Sequence, residues 1–156
     1  MSPALRRHIA VEAGVGAAIN GILSLAFCLL LFGGAPRVPV AGIHGLMFDA
    51  VPQGTMIALM SAIVPTLLTR RRLRRGVFSG VAGSAVRLRG NGLRQALFIA
   101  AIAASASVLV NAAVLLTGPP DWPFATVAIV KTLFGALLGA ITASVATRVA
   151  LTGADE

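Results

Sequence analysis

At 156 residues, 57% of them hydrophobic and 12% charged, the chain has about half the charged share of a globular domain and more apolar surface than a water-soluble core of this size can hide. Its formal net charge of +8 suggests nucleic acid. However, seven of its thirteen basic residues fall within residues 70–89, beside apolar stretches and with Phe78 the one aromatic among them, which speaks for anionic lipid headgroups and against a nucleic-acid partner. The single cysteine, Cys28, leaves no disulfide, redox pair or thiolate metal site.

The first apolar run covers residues 9–32. Arg6, Arg7 and His8 precede it as they would a secretory signal, but the run exceeds the roughly 7–15-residue core of such a signal. At about 1.5 Å per residue it can cross a hydrocarbon core of about 30 Å, so it is expected to remain as an anchor. Glu12, Gly16, Asn20 and Ser24 recur every four residues and share one helix face, with Ala10, Gly14, Ala17 and Gly21 on an adjacent small-residue face. A packing seam is the expected role, a polar pathway the sharper alternative, and Glu12 lies near enough to the helix entrance to be hydrated. Cys28 reads as a small packing residue within this run.

A Gly/Pro-bearing loop over residues 33–45, carrying Arg37 and His44, leads to a second span at residues 46–69. Asp49 stands near its start with Gln53 one turn deeper, and Pro65 frees the carbonyl of Ser61 and bends the helix. The linker over residues 70–92 carries Arg70, Arg71, Arg72, Arg74, Arg75, Arg87 and Arg89, which are expected at the lipid headgroups. Its apolar stretch at residues 76–83 is too short to span and too glycine-rich for a firm helix, and reads as a flexible linker.

The third span, residues 93–117, repeats the small and polar stripe with Ala100, Ala104, Ser107 and Asn111. A proline-rich turn holding Trp122, placed as an interfacial anchor, leads to the fourth span at residues 123–146. There Gly135, Gly139 and Ala143 form a small-xxx-small run, so Gly14, Gly21, Gly135 and Gly139 are the candidate helix-packing positions. Lys131, the chain's one lysine, lies roughly 12 Å along the fourth helix from its outer end. That depth matches Asp49 and Gln53, so an intramembrane Asp49–Lys131 ion pair is expected, with Gln53 or Asn111 completing its hydrogen bonds.

The positive-inside rule places the arginine linker, Arg6, Arg7 and Arg148 on the cytoplasmic side, leaving Arg37 alone opposite. The expected fold is a single all-α integral membrane domain over residues 1–156. It has four transmembrane helices in two parallel-oriented hairpins, with both termini inside. Arginine-over-lysine, alanine-rich usage suggests a bacterial inner membrane. Nucleophile elbow, zinc-protease and Walker motifs are absent, so neither enzyme activity, cofactor nor metal site is expected. The leading functional expectation is an accessory or assembly subunit whose small-residue faces bind itself or a larger membrane protein. The alternative is a small transporter or channel using Asp49, Gln53, Lys131, Asn20 and Asn111.

Overall fold

The computed structural model describes residues 3–77 and 91–152. Arg87 and Arg89, and most of the apolar stretch expected to act as a linker, lie outside the described residues. The elements run α1 (Pro3–Phe32), β1 (Arg37–Pro39), α2 (Leu46–Arg74), α3 (Gly92–Thr117), β2 (Asp121–Pro123) and α4 (Phe124–Thr152). All four helices are long and apolar enough to cross a bilayer. The expected spans fall inside them, apart from Pro123, which closes β2. α1, α2 and α4 extend about a turn beyond those spans at the end that holds the arginines.

That arginine end gathers the start of α1, the end of α2 and the start of α3: His8 meets Thr69, and Arg70 meets Gln95. Asn91 caps α3 there, its side chain accepting from Leu93 N–H at 3.1 Å. At the opposite end the two connecting loops are joined. β1 and β2 pair antiparallel in the register Val38 to Trp122, so what reads in sequence as a plain loop and a tight turn is one two-stranded clasp. Val40 N–H extends it to the Pro120 carbonyl at 2.9 Å, and Arg37 Nε donates to Asp121 at 2.6 Å. Val38 is fully buried against Cys28, Phe32, Val40, Leu46, Leu115 and Val127, an apolar plug beneath the clasp. Gly34 and Gly42, at φ 97° and 95°, supply the left-handed turns that bring the loop in and out of it. Trp122 is half-buried in this arrangement and packs over Gly118.

The helices do not pack chiefly as sequential hairpins. α1 lies along α4, and α2 along α3 and α4, while the backbones of α1 and α2 stand apart. Small residues decide this. A Cβ on Gly16 would sit 2.9 Å from the Gly139 carbonyl, and one on Gly139 would sit 2.7 Å from the Gly16 carbonyl. Gly21 lies 3.3 Å by the same measure from the Ala136 methyl, and Gly135 rests against Ser24. Three of the four expected packing glycines (Gly21, Gly135, Gly139) therefore line the α1–α4 seam, whereas Gly14 faces open space. On α2 and α3 the matching surface is Ala62 with Ala96 and Ala100, and Gly54 against Ser107. Close backbone approach through small residues is what holds helices together where lipid-like surroundings remove the hydrophobic drive.

Because the seam leaves no room for a side chain, Gly139→Leu should lower stability by about 1–3 kcal/mol. Gly14→Leu should change it by no more than about 0.5 kcal/mol. Unfolding of the purified protein from mild detergent by graded dodecyl sulfate measures both. Equal losses at the two positions would place the α1–α4 contact elsewhere.

Candidate functional site: a polar ladder across an open groove

α1 presents its four-residue stripe to α2, and α2 answers with one of its own. Gln53 and Ser61 stand about two turns apart toward α1, with Asp49 a turn before them and Thr69 and Arg72 further on, a row that winds slowly around α2. The stripes meet in rungs. At the arginine end, Arg72 Nη1 donates to Glu12 Oε1 at 2.9 Å and to His8 Nδ1 at 3.0 Å. A guanidinium cannot accept, so His8 Nδ1 is the acceptor and its proton lies on Nε2, which donates to Thr69 Oγ1 at 3.2 Å. Deeper, Asn20 Nδ2 donates to Ser61 Oγ at 2.9 Å and to the Gly16 carbonyl at 2.8 Å. The next rung is Gln53 Nε2 to Ser24 Oγ at 2.8 Å. Near the clasp, Lys131 of α4 donates to Asp49, both side chains being nearly buried. Lys131 Nζ also lies 5.6 Å from the centre of the Phe32 ring, within cation–π range.

The expected partners are thus partly rearranged. The Asp49–Lys131 pair is present, but neither Gln53 nor Asn111 completes it. Gln53 turns to Ser24, and Asn111 Nδ2 folds back on the Ser107 carbonyl of its own helix at 2.9 Å. Asn111, Gln53, Lys131 and Trp122 instead border a separate cavity of about 70 Å³ between α2, α3 and α4. Glu12 differs from its expected hydrated state: it is only 7% exposed, because Arg72 leans over it. Of the arginines expected at headgroups, Arg71, Arg74 and Arg75 are exposed. Arg70 is buried, its guanidinium lying against Gly92 and donating to Gln95 Oε1 at 3.0 Å. His44 is exposed near the clasp, on the opposite end from His8. α2 runs unbroken through Pro65, and the Ser61 hydroxyl one turn earlier is held by Asn20.

Since α1 leans on α4, the rungs bridge a gap rather than a packed interface. The groove between α1 and α2 has a volume of about 640 Å³. Its floor is Asn20, Ser24, Gln53 and Ser61, with Ala143 of α4 behind. Its rims are exposed apolar side chains, among them Ile19, Leu23 and Phe27 on α1 and Met56, Met60 and Val64 on α2. Small-molecule sites occupy roughly 300–1,000 Å³, are lined mostly by apolar groups with a few convergent polar ones, and often lie between helices of bundles. Among the described residues no three His, Cys, Asp or Glu side chains group as metal ligands. Comparison with family models, with curated proteins and with solved structures gives no match.

Lys131→Met should leave Asp49 as an uncompensated buried charge and cost about 3–5 kcal/mol, the usual penalty for breaking a buried pair from one side. Asp49→Asn combined with Lys131→Met should restore most of the loss, since both charges leave together. The same detergent unfolding reads the cycle, and additive losses in the double variant would mean that the two groups do not interact.

Proposed function

We propose that this is a non-enzymatic, multi-pass protein of the bacterial inner membrane, with both termini cytoplasmic, that carries an amphipathic solute along the groove between α1 and α2. The observation that supports this most is the groove itself: apolar rims open at the side, over a floor of amides and hydroxyls that runs between two ion-paired carboxylates, Glu12 and Asp49. Glu12 and Ser24 are about 18 Å apart along α1, so the floor covers much of a hydrocarbon core about 30 Å thick. An amphipathic molecule could enter from the lipid with its apolar part against the rims and its polar part on the floor. A purely aqueous channel fits less well, because the rims are leucine, isoleucine, phenylalanine and methionine.

The accessory-subunit reading rests on small-residue faces free to bind other helices. Most of those faces are occupied within the chain, since Gly16, Gly21, Gly135 and Gly139 are spent on the α1–α4 seam. Gly14, with open space beside it, keeps this as the second reading.

The test is saturable flux of amphipathic dyes in proteoliposomes. Met60 lies on the groove rim, half exposed and outside the ladder, so Met60→Trp should fill the groove while leaving the fold intact. A drop of at least ten-fold in flux, with unchanged unfolding, is the expected result. A wild-type protein that moves no dye but purifies from its membrane in a stable complex with a larger protein would transfer the assignment to the accessory role.

A further inference from the structure

The charges at the ends of the groove are not symmetric with respect to it. Both acids, Glu12 and Asp49, line the groove, whereas their basic partners Arg72 and Lys131 do not. Among the described residues no lysine, arginine or histidine lines it. A molecule in the groove therefore meets two carboxylates, one near each end, with only neutral groups between them.

From this arrangement we propose that the solute is a monovalent lipophilic cation, held alternately at two carboxylate stations, Asp49 toward the clasp and Glu12 toward the arginine end. This rests on the carrier reading of the groove and supplies the chemistry of its solute. Each station is built for exchange. A cation drawn to Asp49 displaces Lys131, whose ammonium already has the Phe32 ring at 5.6 Å as a second partner. A cation drawn to Glu12 displaces Arg72, whose side chain is 43% exposed and can turn to water, and takes its place over Glu12. In both cases one positive charge replaces another beside the carboxylate, so neither carboxylate is left as a lone buried charge, and Lys131 stays beside Asp49 against the Phe32 ring rather than withdrawing from the site. Between the stations Asn20, Ser61, Ser24 and Gln53 offer dipoles that ease passage without a deep trap. Among the described residues an anion would meet no counter-charge on the groove wall and two carboxylates to repel it.

Tetraphenylphosphonium and tetraphenylborate are nearly equal in size and opposite in charge, and triphenylphosphine oxide is a neutral relative. Equilibrium binding of each to the full chain in lipid nanodiscs, corrected with empty nanodiscs, separates the possibilities. The expected result is saturable phosphonium binding at least ten-fold tighter than borate or the oxide, reduced at least ten-fold by Glu12→Gln. Asp49→Asn alone leaves Lys131 unpaired and risks the fold, so Asp49→Asn with Lys131→Gln tests that station, again with at least a ten-fold loss expected. Met60→Trp should abolish binding of all three. Borate or oxide binding as tight as phosphonium, blocked by Met60→Trp, would overturn the cation assignment and leave the groove as a carrier site. Phosphonium binding unaffected by both carboxylate variants would overturn the two stations. Binding of none of the three would overturn the cation assignment and the carrier reading together.

Discussion

The contact on which the rest of the molecule depends is the glycine seam between α1 and α4. At Gly16 and Gly139 each helix places a backbone carbonyl where the other would carry a Cβ, an approach that no other residue permits. With α1 drawn that close to α4, it does not also lie along α2, which packs on α4 and, through Ala62, Ala96, Ala100 and Gly54, on α3. The groove is the geometric remainder of two tight pairings. Its polar floor follows from the same positions. Asn20 and Ser24 sit at the edge of the seam, next to Gly139 and Gly135, and reach from there toward α2.

A second constraint closes the opposite end. Loops between apolar helices must still satisfy their backbone polar groups, and here the two loops satisfy each other through β1 and β2. The clasp fixes the start of α2 relative to the start of α4, and so sets Asp49 against Lys131. Without that register a lysine on α4 and an aspartate on α2 would share a depth without sharing a contact. The exposed Arg37–Asp121 pair on the clasp adds little energy of its own, since solvent screens it. The buried Val38 with its apolar plug is what anchors the strands.

The four helices and the Asp49–Lys131 pair were legible in the sequence for good physical reasons. Hydropathy marks spans because length and apolarity are what a bilayer demands, and a lone lysine at a given depth has few possible counter-charges. Partner choice among the helices was not legible, because hydropathy carries no record of neighbours. The stripes of Gly16, Gly135 and Gly139 announced close packing, yet only their mutual fit shows that α1 takes α4. Gln53 and Ser61, about two turns apart on α2, could have been matched to Ser24 and Asn20 on α1. Arg70 and Arg72 misled for a different reason. An arginine next to a span usually goes to headgroups, but Arg70 falls on an inward face of a helix that continues past the apolar run, where Gln95 meets it, and Arg72, half exposed, also reaches Glu12. The clasp was hidden because three-residue strands formed by proline-flanked segments leave no alternating pattern to read.

The division of labour between seam and ladder also bears on motion. Hydrogen bonds between helices in a membrane average only about 0.6 kcal/mol each, because groups released from one partner find others. Three neutral rungs, His8 to Thr69, Asn20 to Ser61 and Gln53 to Ser24, therefore hold the groove with modest strength. The glycine seam, by contrast, is continuous van der Waals contact that must be lost as a whole. Separation of α1 from α2 is thus the cheap deformation and separation of α1 from α4 the costly one. Because α2 also lies along α4, α1 and α2 part only as α4 rolls against one of them, most freely at the arginine end, away from the clasp. There the rung between Glu12 and Arg72 has its cation already half in solvent. The weakest side of the bundle is therefore the side that a solute would have to pass.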